Sequence, residues 1–227
     1  MPNRAPFSID EWYHCYNRGV DKRKIFENCR DYERFLLGMF AGNSEVPVHI
    51  SNLKSPYLRD VLADSSFERG EPLVEIGAYC LMPNHIHLLL REVTEGGIAR
   101  FMQKLCTGYT MYFNSKRERT GALFAGTFKS KHVPDDRYLK YLASYIHLNP
   151  AELFDPKWKN GQAHIPGIKK ELEGYRYSSL VDFLGQKRLE NCIIGETLPN
   201  LYEKQLTLSE VVQEAHEYYQ ENIEVKP

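Results

Sequence analysis

The chain has 227 residues, an apolar share of 42%, a charged share of 26% and a formal net charge of −1 at pH 7. That is enough chain for one sizeable core, or for one domain with an appendage, in a composition ordinary for soluble globular proteins. No apolar run approaches the roughly 20 residues that span a bilayer, "MPNRAPFSID" lacks a signal-peptide pattern, and five scattered cysteines without a C-x-x-C point to a reducing cytosol.

The elements follow in chain order. "EWYHCYNRGV" reads as a strand running into an Arg-Gly turn. In "NCRDYERFLLGMFAG" the residues Tyr32, Phe35, Leu36, Met39 and Phe40 recur at helical spacing, with Gly42 as the stop. Residues 43–72 are polar, hold three prolines and show no sustained period, so we expect a long connection with a short helix at "YLRDVLA". "LVEIGAYCLMP" and "HIHLLLREV" read as two strands joined at the turn pair Pro83-Asn84.

Gly96-Gly97 opens a long helix whose stripe is Ile98, Phe101, Met102, Leu105, Tyr109, Tyr112 and Phe113. "GALFAGTFKSKHV" is the next strand, interrupted by Gly126 as at a bulge. Asp135-Asp136 opens a helix that Pro150 ends. After a loop containing "FDPKWKNGQ" and the stretch "GYRYSSLVDFLG", a last helix begins at a Thr207…Glu210 capping box and carries Val211, Val212, Ala215, Tyr218 and Tyr219. The order predicts an α+β fold: a ferredoxin-like βαββαβ antiparallel sheet with helices on one face, plus an added helix.

Charge is unevenly distributed along this order. Residues 100–131 hold seven Lys/Arg against the single acid Glu118, whereas 43–75 carry six acids to three bases and 186–227 eight to four. A basic middle between acidic flanks fits phosphate binding, although a solvated helix face would look the same.

Within "YCLMPNHIHLLL" two histidines stand one residue apart. On a strand, alternation sends His85 and His87 to one side and Ile86, Leu88 and Leu90 to the other. Two half-exposed histidines on a sheet is the plain reading; a pair of metal ligands is the sharper one. On the helix from 136, Tyr141 and Asn149 lie about 40° to either side of Tyr145 and Tyr138 about 20° away, whereas His147 lies about 200° round. A tyrosine stripe usually means packing, but this one ends in an Asn ahead of a proline, at a helix terminus. A tyrosine nucleophile suits phosphodiester cleavage, since a phosphotyrosine conserves the bond energy. Its pKa near 10 leaves it weak at neutral pH, and a divalent cation held by two imidazoles and an amide oxygen would assist it, as Mg2+ or Mn2+.

At these residues the sequence resembles a known family. His85-Ile86-His87 in "MPNHIHLLL" is similar to the histidine–hydrophobe–histidine motif of HUH single-tyrosine transposases. "YIHLNP" (145–150) resembles the tyrosine motif of REP-associated tyrosine transposases, and "YNRGVDKRKIF", "FMQKLCTGYTMYFN", "GALFAGTFKSK" and "YRYSSL" extend the likeness over roughly residues 10–184. The resemblance implies a ferredoxin-like fold whose added helix carries the catalytic tyrosine beside the histidine strand. It implies metal-dependent cleavage and rejoining of single-stranded, hairpin-forming DNA through a 5'-phosphotyrosine. By position Tyr145 is the expected nucleophile, with His85, His87 and Asn149 as ligands of Mg2+ or Mn2+; His147 is the rival ligand on chemistry alone. Arg18, Arg100, Lys104, Lys129 and Lys131 are the expected phosphate contacts, with exposed tyrosines stacking on unpaired bases.

The expected organisation is a catalytic domain over 1–185, with 43–72 as an inserted polar loop, and an acidic, partly helical extension over 186–227. A prokaryotic cytosolic or nucleoid location, no membrane partner and an open question of homodimerisation complete the picture. Two other readings compete. A histidine-triad nucleotide hydrolase would need a third alternating histidine at 89, where Leu89 stands. A catalytically silent, domesticated hairpin-DNA-binding protein would be expected to lose the tyrosine or a histidine, and all three are present.

Overall fold

The computed structural model describes residues 6–155 and 165–221. The strands are β1 (Trp12–Arg18), β2 (Val74–Met82), β3 (His85–Glu92) and β4 (Lys129–Val133). They form one sheet in the order β2-β3-β1-β4, with every neighbouring pair antiparallel. The main helices are α1 (Cys29–Ala41), α2 (Leu58–Ala63), α3 (Gly97–Lys116) and α4 (Asp136–His147). This is the predicted βαββαβ order, α2 being the short helix expected within the long connection.

Period-two alternation gives the sheet two working faces. On one face Ile86, Leu88 and Leu90 of β3 pack against Phe35, Leu36 and Met39 of α1 and Phe101, Met102 and Leu105 of α3. Both helices start on carboxylate or amide caps. Asn28 and Asp31 form a capping box at α1, and buried Glu92 accepts from the Gly97 N–H at 3.1 Å and the Ile98 N–H at 2.7 Å. Gly97 is required there: a Cβ would lie 2.1 Å from the Leu73 carbonyl oxygen.

The added helix α4 lies on the opposite face, so the sheet is covered on both sides. Trp12, Ala78, Cys80, Met82, Leu89 and Val133 meet Leu139, Leu142, Ala143 and Ile146 there. Further helices follow: α5 (Ala151–Phe154), α6 (Ile165–Glu173), α7 (Leu180–Phe183), α8 (Thr197–Asn200) and α9 (Leu208–Glu221). α9 seals the outer side of α4 with Leu208, Val211 and Ala215, and Ser144 donates to the Glu214 carboxylate at 2.5 Å. Its capping box is as expected, Thr207 N–H donating to Glu210 Oε2 at 2.8 Å. The side chains of Tyr218 and Tyr219, and residues 156–162 of the expected loop, lie outside the described residues.

One strand differs from expectation. Over "GALFAGTFKSKHV" only Lys129–Val133 is strand; Phe124 makes a lone bridge to Gly19, and Gly126 sits at φ +110. That left-handed backbone breaks the ladder and admits only glycine comfortably. The edge of β2 is covered by the "YRYSSL" segment, where Leu81 N–H donates to the Tyr177 carbonyl at 2.9 Å and Ser179 N–H to the Tyr79 carbonyl at 3.0 Å. Among the described residues no helix is long and apolar enough to cross a membrane.

Candidate active site

The α4 face of the sheet gathers an aromatic and imidazole cluster by register. β3 places His85 and His87 on it, with ring centroids 5.0 Å apart and planes nearly perpendicular. β1 aligns Tyr16 with His87 and Arg18 with His85 on one flank. Beyond β1, at the sheet edge, β4 aligns Lys129 with Tyr16 and Lys131 with His14. The rings of His14, Tyr16 and His87 lie roughly parallel, His14 and His87 at 5.0 Å and 22°.

Tyr145 descends onto this cluster from α4. Its ring stands edge-on to His87, centroids 6.0 Å apart, and edge-on to His14 at 6.3 Å. Helix periodicity explains the aim: Leu139, Leu142 and Ile146 seat α4 in the apolar layer, which leaves Tyr145 over the imidazoles. Burial pushes its phenol up to about 12; the hydrogen-bonding Asn149 amide acts the other way, and the nearby Glu152 carboxylate adds to the rise. Asn149 Nδ2 also donates to the Tyr145 carbonyl at 2.9 Å, so its Oδ1 is the atom with lone pairs to offer. The nucleophile candidate and its helix end are thus tied together.

Each ring of the histidine pair is held through Nδ1. His85 Nδ1 lies 2.7 Å from Asn84 Oδ1, and His87 Nδ1 lies 2.8 Å from His14 Nε2. Burial, with the Lys131 ammonium beside it, holds His14 down at about 3, so it is neutral at pH 7. Among the described residues no three His, Cys, Asp or Glu side chains converge as a metal site. A cation here would therefore depend on the two imidazoles and on neutral or substrate oxygens.

His147, the rival ligand, is elsewhere. Its Nε2 lies 2.9 Å from Ser179 Oγ and its ring packs on Phe183 with centroids 4.6 Å apart. Ser179 Oγ in turn receives the Tyr79 N–H at 2.9 Å. This histidine fastens α4 to the segment covering β2.

The five expected phosphate contacts divide. Register puts Arg18 on β1, beside the histidine strand, and Lys129 and Lys131 on β4, one strand further out on the same face, and Lys131 Nζ donates to the Tyr138 hydroxyl at 2.8 Å. Arg100 and Lys104 ride on α3, across the sheet. Arg100 donates to Thr94 Oγ1 at 2.9 Å, and Lys104 to the Ser44 carbonyl at 2.7 Å. Linear clustering of charge gave no information about which side of the sheet each cation would take.

A family model described as IS200-like transposase matches residues 57–149, a span that holds His85, His87, Tyr145 and Asn149. Over residues 57–149 the chain is similar to the IS200-like transposases. A solved structure of a REP-associated tyrosine transposase bound to a REP hairpin resembles the chain with a TM-score of 0.50 at 12% identity, over 84% of this chain and 90% of that one. At that identity the likeness is one of fold. No curated protein matches the chain.

Two residues at the site escaped the sequence reading, His14 and Tyr16, both outside the matched residues 57–149. Their signal was present, because Trp12, His14 and Tyr16 share one face of β1. Nothing in the linear order said that this face would lie against β3.

Proposed function

We propose that this chain cleaves and rejoins single-stranded DNA, on hairpin-forming substrates, through a covalent 5'-phosphotyrosine at Tyr145. The observation that carries the reading is the edge-on placement of Tyr145 over His87, within a segment similar to the IS200-like transposases. The solved structure of similar fold holds a REP hairpin, which supports the same class of DNA here.

In this reading the Tyr145 oxygen forms a bond to the scissile phosphorus and the phosphorus–O3' bond breaks. The 5'-phosphate stays on the enzyme, the phenolic proton is lost, and the departing 3'-oxygen takes up a proton. A free 3'-OH attacking the same phosphorus reverses the sequence and regenerates the phenol, so no external energy source is needed. His85 and His87, with the Asn149 oxygen, would hold Mg2+ or Mn2+. Such an ion would polarise a non-bridging phosphate oxygen and offset the charge that develops there. The donor chemistry fits: imidazoles and an amide oxygen suit these ions with positions left for substrate. Lys129, Lys131 and Arg18 would hold flanking phosphates, and Tyr16 offers a ring on which an unpaired base can stack.

The test is a denaturing gel of hairpin-bearing single-stranded DNA with Mn2+ or Mg2+, comparing wild type with Tyr145→Phe. An adduct made by wild type alone, and abolished by EDTA, is the expected result. Binding without an adduct across several sequences and both metals would make the protein a hairpin-DNA binder instead.

A further inference from the structure

Neither imidazole of the His85/His87 pair is oriented by the strand alone. A neutral imidazole carries one N–H and one lone pair, and a metal takes the lone pair, so the hydrogen bond made by the other nitrogen decides which atom is offered. We propose that Asn84 and His14 are positioning residues that fix His85 and His87 in the tautomer presenting Nε2 to a divalent cation. The inference rests on the metal site proposed above.

For His85 the argument is closed by the partner's chemistry. Asn84 Nδ2 donates to the Lys22 carbonyl at 3.2 Å, which turns Oδ1 toward His85 Nδ1 at 2.7 Å. The Asn84 backbone carbonyl is itself pinned by the Gly19 N–H at 2.9 Å, so the turn is anchored to the end of β1. An amide oxygen can only accept. The proton therefore sits on His85 Nδ1 and the lone pair on Nε2.

For His87 the partner is another imidazole, which can donate or accept. His14 Nε2 lies 2.8 Å from His87 Nδ1, and the rings are near parallel, 22° apart. His14 is 6% exposed and His87 5% exposed, so this hydrogen bond is sheltered from exchange with water. When His87 offers Nε2 to a cation, its Nδ1–H donates to His14 Nε2, and the His14 proton moves to its own Nδ1. His14 is thus the acceptor that a carboxylate provides in many metal sites, supplied without adding negative charge where a phosphodiester must bind. Chain order hid this: residues 14 and 87 meet only through the β1–β3 pairing.

The experiment uses the full chain in four variants, each paired by position. Asn84→Leu and His14→Phe remove the acceptor and keep bulk; Asn84→Asp and His14→Gln restore one. Mn2+ affinity is read by titration with EPR detection of free ion, thermal midpoints are recorded in parallel, and histidine tautomers are read in the metal-free chain by 15N NMR. Wild type is expected to show His85 as the Nδ1–H form. Asn84→Leu and His14→Phe should weaken Mn2+ binding by about 10- to 100-fold, with Asn84→Asp and His14→Gln recovering most of it. Unchanged Mn2+ affinity in both the Leu and Phe variants, at unchanged midpoints, overturns the positioning roles. If wild type itself binds no Mn2+, the metal reading has failed. The 15N spectrum then still shows whether Asn84 and His14 set the two tautomers.

Discussion

His147 Nε2 lies 2.9 Å from Ser179 Oγ, on the side of α4 turned away from His85 and His87. The "YIHLNP" motif thus holds two buried polar rings with separate tasks: Tyr145 faces the imidazole cluster, and His147 fastens the helix to the strand cover. Ser179 Oγ already accepts from Tyr79 N–H and donates to the Tyr79 carbonyl at 3.2 Å, so His147 Nε2–H is the donor in their bond.

His147→Ala removes that hydrogen bond and leaves a cavity against Phe183. A loss of about 2–4 kcal/mol in unfolding free energy is expected, read by urea titration. Mn2+ affinity of the folded variant should match wild type; a drop of tenfold or more would restore His147 as a ligand.

The division of the basic residues has a direct readout in salt. DNA tracking along the Tyr145 face would touch Arg18, Lys129 and Lys131 and miss Arg100 and Lys104. Replacing Lys129 or Lys131 by Gln should reduce the slope of log affinity against log salt by about 0.7 per lost phosphate contact on single strands. Arg100→Gln and Lys104→Gln should leave the slope unaltered. Fluorescence anisotropy over a salt series decides it, and the reverse pattern would put the DNA on the α1/α3 face.

Asp31 supplies a pH-dependent part of the stability. It is fully buried beneath the start of α1, with Lys116 Nζ at 2.6 Å. Burial raises its pKa, but the Lys116 hydrogen bond and ammonium charge, the Glu27 N–H and the Tyr112 hydroxyl together bring it below the usual carboxylate value. A depressed pKa means that the folded state holds fewer protons than the unfolded chain as the carboxylate titrates. The contribution is therefore fully present above the unfolded value and is lost as pH falls through the folded one. Asp31→Asn should destabilise the protein at pH 7 by about 1–3 kcal/mol and by progressively less as pH falls below about 4. Unfolding free energies of both proteins at pH 3.0 to 7.0 test this; a constant difference across the range would rule it out.

Much of the molecule was legible in the linear sequence, for reasons that are local. Periodicity marked α1, α3 and α4, turn chemistry marked the β2–β3 hairpin at Pro83-Asn84, and capping residues marked the starts of α4 and α9. The shortening of β4 was not legible, because a left-handed glycine looks the same in sequence whether it bends a strand or ends it. The partition of Arg100 and Lys104 from Lys129 and Lys131 was hidden too, since a charge count carries no information on which layer an element joins.

By itself the sequence determined that His85 and His87 share a side of one strand, and that Tyr138, Tyr141 and Tyr145 share a side of one helix, because each repeat is set by backbone geometry alone. Only the tertiary structure decided that Tyr145 comes to stand over His87, and that His14 comes to lie against His87. The β1–β3 register and the seating of α4 on the sheet arise from burying apolar side chains that are distant in the chain, and no local period encodes which distant surface will be met.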